Sequence, residues 1–225
     1  MNNNDFEYLR DKIGHEWFIL LSDKMKLHLH NILLKIEGLR KRYIVYPFED
    51  DMFTIFKLLK PNDVKVVIMG QDPYHDGNAT GVAFGCKFEK SPTLISINSR
   101  LKLDFPELVS NKDIKLNYLV KQGVFLINRT LTVEEGRPAS HVRLQWDVFV
   151  LDILSILNQR DNIVFMFWGK HAMEMRLPVT NPKNIRLYAE HPMKPVYEKR
   201  EWRCNNFREC NNYLITKKIT PINWW

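Results

Sequence analysis

Cysteine is scarce in this chain: three residues in 225, at Cys86, Cys204 and Cys210, with no C-x-x-C pair. An odd, scattered set argues against a disulfide framework and a four-cysteine zinc site, and it fits a reducing compartment. No apolar run approaches the ~20 residues that a membrane-crossing helix needs. The first residues, Met1–Asp5, are polar and lack the basic-then-apolar order of a secretory signal. A soluble intracellular protein is therefore expected, nuclear if it comes from a eukaryote or a nuclear virus and cytoplasmic otherwise. Repeats, low-complexity tracts and linkers are also missing, so one domain is expected over 1–225, with a helical N-terminal part over about 1–45. What is present is core material, 45% hydrophobic and 12% aromatic residues, and a net charge of +7. That charge leans toward an anionic partner, nucleic acid or membrane surface, without choosing between them.

Hydrophobic spacing gives the order of elements. Residues 5–42 carry apolar positions at helical intervals, among them Trp17, Leu20, Leu21, Leu27, Ile32, Leu33 and Ile36. Four short β-rich runs follow, over 64–69, 124–127, 163–167 and 185–189. Between them lie helical stretches: 94–101, which Ser91-Pro92-Thr93 introduces as a helix start, and about 141–158, where Trp146, Phe149, Val150, Ile153 and Leu157 repeat along one face. Strands alternating with helices predict an α/β domain with a central four-stranded parallel sheet and helices on both faces. Ligands of such sheets bind beyond the carboxyl ends of the strands. The four runs end in polar, turn-forming or ionisable residues, which brings Asp72, Asn128, Lys170 and His191 to one edge.

The densest local signal is Gly70-Gln71-Asp72-Pro73-Tyr74-His75. Glycine and proline make a stiff turn, and a carboxylate, a phenol and an imidazole crowd into four positions. A purely structural strand-to-loop turn is the competing reading. Asp72 and His75 make a poor metal site, because no matching ligand cluster lies nearby. The segment GQDPYHDGNATGVAFG resembles the water-activating loop and base-stacking segment of the uracil-DNA glycosylases. Tyr46-Pro47, Gln122–Asn128 with Leu131-Thr132, Ser140-His141 with Trp146, Trp168-Gly169, His191-Pro192 and Pro221–Trp224 resemble that family's other motifs in the same order. The similarity spans nearly the whole chain.

The resemblance implies hydrolysis of the uracil N-glycosidic bond in single- or double-stranded DNA, with no metal and no organic cofactor. It implies that Asp72 positions water and stabilises an oxocarbenium-like sugar, and that His191 hydrogen-bonds uracil O2 as the base departs. Asn128 is implied to read the uracil edge, Phe84 to stack on the flipped base and Tyr74 to obstruct a methyl group at C5. Backbone N–H near Gln71 is implied to contact O2. His75, Thr93 and His141 match polar positions near the DNA backbone, and Lys170 stands where the family has serine. For these residues a helix-cap, surface or solvated-lysine reading competes. A monomer that DNA-mimicking inhibitor proteins recognise is also implied.

The chain departs from the family after His191. An ungapped match puts Pro195 at the position of the apolar wedge that fills the hole left by the flipped base, with Val196 next. Gly85 replaces a serine, Asp76 replaces a glycine, and the loop between Asp72 and Phe84 is one residue shorter than usual. From His191 onward seven Lys/Arg face three Glu. With Tyr197, Trp202 and Phe207 among them, these residues suit either phosphate tracking and base stacking or a solvated face over buried aromatics. A DNA-binding replication accessory with secondary or lost catalysis is the alternative function. Activity on another lesion is disfavoured because Tyr74 and Asn128 match the uracil-selective arrangement.

Overall fold

The computed structural model describes residues 3–107 and 113–224. Met1, Asn2 and Trp225, which the reading of the termini included, lie outside the described residues. Strands β1 (Val66–Gly70), β2 (Val124–Asn128), β3 (Val164–Trp168) and β4 (Ile185–Ala189) form a sheet in the order β2-β1-β3-β4, with every neighbouring pair parallel. Every residue of the two central strands is buried, which is why they read as continuous apolar runs. At the β4 edge, Leu187 is buried while Arg186 and Tyr188 reach solvent. Gly70, Asn128 and Trp168 are the last residues of their strands rather than the first residues of the turns. The ladder pairs Gly70 with Asn128 and Trp168 with Ala189.

The N-terminal helical region is three pieces: α1 (Asn3–Ile13), a single turn His15–Phe18, and α2 (Asp23–Arg40). The first break is Gly14, at φ 84, a backbone state that glycine adopts without a Cβ penalty. Helix α2 restarts where the Ser22 hydroxyl accepts the Met25 N–H at 3.2 Å. Helix α3 (Pro92–Asp104) begins the same way, the Ser91 Oγ accepting from Leu94 N–H. Helix α4 (Trp146–Asn158) starts later than the sequence periodicity suggests. Residues 142–144 form a 3-10 turn, and Gln145 at φ 63 interrupts the path. Helix α5 (Asn206–Thr216) closes the chain.

One continuous buried cluster joins the sheet to these helices. Trp202 and Phe207 belong to it, packing edgewise on Trp168 with ring centroids 4.9 and 5.7 Å away. Of the two readings of these rings, the buried one holds and base stacking falls away: they are core. The Gln122 and Pro221–Trp224 motifs are halves of one contact. Asn223 N–H donates to Gln122 Oε1 at 2.8 Å, and Gln122 Nε2 donates back to the Asn223 carbonyl at 2.9 Å. The three cysteines are free and buried, and burial pushes the Cys204 thiol up to about 12. Among the described residues there is no helix long and apolar enough to cross a membrane, and no group of three or more metal-ligating side chains.

Candidate active site

The carboxyl ends of β1 and β2 meet where Gly70 faces Asn128. A Cβ on Gly70 would lie 2.1 Å from Asn128 Oδ1 and 3.3 Å from the Ala83 Cβ, so only glycine leaves the Asn128 amide its place. Past the strands the two chains stay joined. Arg129 N–H donates to the Gly70 carbonyl and Thr130 N–H to the Gln71 carbonyl, both at 3.0 Å. These bonds fix where Asp72 emerges. Asp72, Tyr74, Phe84 and Asn128 line one small pocket, floored by Ile127 and Leu131. The Asn128 amide has no hydrogen-bond partner among the described residues.

The Asp72 carboxylate is only partly satisfied. Gln71 Nε2 donates to Oδ2 at 3.3 Å, while Oδ1 is buried and unpartnered. Burial holds this carboxyl above the usual carboxylate range, against the opposing pull of Thr130, Gln71, the Ala139 backbone and His171. An acceptor oxygen in this state suits a water molecule as its hydrogen-bond donor.

Phe84 sits at φ 64, left-handed for a residue with a full side chain, a strained state held by its surroundings. The holding groups are visible. Ala83 N–H donates to the Leu126 carbonyl at 3.1 Å, and the ring packs on Trp168 at 5.4 Å. Gly85, where the family carries serine, has a reason of its own. A Cβ there would approach the Lys115 carbonyl at 2.8 Å and Thr80 Oγ1 at 2.9 Å.

His191 lies in the adjoining groove with Lys170, not in the wall of the Asp72 pocket. Met193 N–H donates to its Nδ1 at 3.1 Å. The Nδ1 lone pair is thus occupied, and the ring proton belongs on Nε2. Burial lowers the imidazole pKa, and His171 lowers it further. The Cβ and backbone of His191 pack against Gly169, where a Cβ would come within 2.8 Å of the His191 Cβ. His171 acts electrostatically on both Asp72 and His191. Sequence reasoning passed over it because nothing in one dimension sets it apart from its neighbour Lys170.

The residues expected along the DNA backbone divide. Lys170 is exposed, in the groove with His191, and His75 is half-buried. Thr93 is buried, its hydroxyl directed at Met193 Sδ at 3.6 Å, so it ties α3 to the loop after His191. His141 is 1% exposed. Its Nδ1 shares a hydrogen bond with the Thr132 hydroxyl at 2.8 Å, and that oxygen accepts from Trp146 Nε1 at 2.8 Å. His141 is thus corrected from a backbone-facing residue to a member of an internal network. Pro195 is also corrected: the turn Lys194–Tyr197 turns it inward. Val196 is left 38% exposed and Tyr197 77% exposed. The sequence reading counted Tyr197 among the aromatic residues of the basic tail and gave the wedge position to Pro195 or Val196, yet Tyr197 is the most exposed of the three. In the tail, Arg200 is held by Glu190 and Glu198, and Arg208 by Asp104.

Known proteins are similar to this chain in sequence and in fold. The family model described as "Uracil DNA glycosylase superfamily" matches residues 56–215. The uracil-DNA glycosylase of Alcelaphine herpesvirus 1 is 36% identical over 218 residues, 92% of this chain and 86% of that protein. That of Idiomarina loihiensis is 34% identical over 215 residues, 92% of this chain and 99% of that protein. Among solved structures, mimivirus uracil-DNA glycosylase superposes with a TM-score of 0.74 at 23% identity, covering 97% of this chain and 92% of that one. A variant of the mimivirus protein in complex with UGI gives a TM-score of 0.76 at 24% identity, over 98% and 86%. With the matched region running from ahead of β1 into α5, the chain belongs to the uracil-DNA glycosylase superfamily.

Proposed function

We propose that this chain releases uracil from DNA by hydrolysing the N-glycosidic bond, leaving an abasic site and so beginning base excision repair. The observation that carries the reading is the single pocket that combines an unpartnered buried carboxylate oxygen on Asp72 with the uncommitted amide of Asn128. The flipped uracil stacks on Phe84. Asn128 accepts from N3–H and donates to O4, a pattern that cytosine reverses. Tyr74 lies against C5. As the bond from N1 to C1′ breaks, the base leaves with the electron pair and the sugar becomes cationic. Asp72 Oδ1 takes a hydrogen bond from the attacking water, and the carboxylate charge stabilises that cation. His191 donates its Nε2 proton as a hydrogen bond to O2, where the negative charge collects. The occupied Nδ1 and the lowered pKa favour the neutral ring at neutral pH.

Lys170 and His75 flank the DNA strand, and the exposed pair Val196 and Tyr197 fills the space the flipped base leaves. A protein that mimics DNA would occupy the same groove, a reading that the UGI complex of the mimivirus relative supports. The test is release of free uracil from matched single- and double-stranded oligonucleotides in EDTA. Release is expected from both. No release with DNA binding retained would make the chain a binding module instead.

Two further outcomes are expected. Val196→Ala/Tyr197→Ala lowers release from the duplex on the order of tenfold more than release from single strands, because only the duplex must be unstacked. Equal losses on both substrates would remove these residues from the wedge. Second, kcat/KM measured against pH has its acid limb displaced upward. The reaction needs ionised Asp72, and burial raises the pH at which that carboxyl gives up its proton. A limb at the ordinary aspartate value of about 3.9 would contradict this.

A further inference from the structure

Tyr74 excludes C5 substituents only while its ring is held still, and a phenol ring on a loop has two rotatable bonds. Its hydroxyl is therefore the informative atom. That oxygen lies 2.6 Å from Ser91 Oγ and 3.5 Å from the Phe84 carbonyl. Ser91 is buried, and its Oγ also accepts the Leu94 N–H at 3.1 Å, closing the first turn of α3. With the two lone pairs and one proton of a serine hydroxyl, the oxygen can serve the helix and the phenol together. Behind the pair, Ser91 N–H donates to Cys86 Sγ at 3.4 Å, and the thiol in turn points at the Phe84 carbonyl at 3.7 Å. The ring against C5, the stacking residue and the start of α3 thus share one set of hydrogen bonds.

We infer that Ser91 is a positioning residue for substrate selection, clamping the Tyr74 hydroxyl to the α3 N-terminus so that the ring bars pyrimidines carrying a C5 methyl group. This rests on the reading that Tyr74 faces C5. Without the Ser91 hydroxyl, the phenol keeps its long contact to the Phe84 carbonyl and the weakly hydrogen-bonding Cys86 thiol, and the ring is freer to tilt away from the base. A tilt of the ring leaves uracil, which has only hydrogen at C5, in place. It gives room to thymine and 5-bromouracil. The expected signature is therefore a change in a ratio of rates, not a general loss.

Loss of a helix cap alone has a different signature. Serine to alanine at an N-cap weakens the helix start more than serine to glycine does. A weakened α3 start slows all substrates alike. The experiment compares single-turnover release of uracil, thymine and 5-bromouracil from single-stranded oligonucleotides by the wild type and by Ser91→Ala, Ser91→Gly, Ser91→Thr, Tyr74→Phe and Tyr74→Ala. Ser91→Ala, Ser91→Gly and Tyr74→Phe are expected to raise the ratio of 5-substituted base to uracil on the order of tenfold. Ser91→Thr, which keeps a hydroxyl, is expected to restore the wild-type ratio. If Tyr74→Ala releases thymine while the Ser91 variants keep the wild-type ratio, the clamp is overturned and the role of Tyr74 stands. If Tyr74→Ala gains no activity on either 5-substituted base, the role of Tyr74 fails, and the clamp with it.

Discussion

Asp72→Asn slows single-turnover uracil release by about three orders of magnitude while leaving the affinity for uracil-containing DNA within a few fold. The reason is electrostatic. Asparagine keeps the shape and one acceptor oxygen, so the pocket and its contacts to Gln71 persist, but the fixed negative charge beside the developing sugar cation is gone. Groups placed where charge develops in a transition state contribute about 10²–10³ each, and a general base contributes on a similar scale. Rapid-quench measurement under enzyme excess isolates this step from product release. A rate within tenfold of wild type would sink the assignment. The same substitution should stabilise the protein at neutral pH. Asp72 has a folded-state pKa raised by burial, so the folded chain holds that proton more tightly than the unfolded chain does. Stability is then lost as pH rises from the unfolded value through the folded one, and the penalty is fully present above it. Removing the ionisable group removes the penalty, so the Tm of Asp72→Asn should exceed that of the wild type at pH 7 and converge with it in acid. The charge that serves the reaction opposes the fold, as is common at active sites.

Gly70→Ala has the second largest expected effect, although the residue touches no substrate. The added methyl would stand 2.1 Å from Asn128 Oδ1, far inside van der Waals contact. Gly70 is paired with Asn128, its carbonyl accepts the Arg129 N–H, and its neighbour Met69 is paired with Phe167 on the other side, which keeps Gly70 from retreating, so the Asn128 side chain has to swing out of the pocket. Uracil then loses both hydrogen bonds that identify it, at about 1–3 kcal/mol each when buried groups are left unpaired. Activity on uracil should fall by about 10²-fold or more, as far as it falls in Asn128→Ala. The double variant should be no slower than either single one, since both remove the same contact. Additive losses would show that Gly70 acts through something other than Asn128. Ala83 is the second group the methyl meets, at 3.3 Å, but that gap needs only a few tenths of an ångström to relax.

The sequence by itself determined the four-stranded parallel sheet, the edge of it that holds the site, and the residue types that gather there. Strands buried on both faces must be apolar throughout, and the chain must turn polar where they end. The runs ending at Gly70, Asn128, Trp168 and Ala189 therefore announce both the sheet and its functional rim. The resemblance to a family then supplied the expected roles of Asp72, Tyr74, Phe84, Asn128 and His191. Tertiary structure decided what no pattern of neighbours encodes. A histidine in a polar run looks the same whether it faces solvent or, like His141, closes a buried chain of hydrogen bonds with Thr132 and Trp146. Trp202 and Phe207, set among lysines and arginines, look like stacking rings until their packing on Trp168 places them inside. One turn of helix, Lys194–Tyr197, sends Pro195 inward and Tyr197 outward, and a linear alignment carries no such direction. The proton on His191 Nε2 depends on how the next turn folds back onto the ring, and the crowding that reserves position 70 for glycine and the tie between Ser91 and Tyr74 depend on distances between separate segments of the chain. Burial and hydrogen bonding are properties of the folded surroundings, so they appear only when the strands and loops have come together.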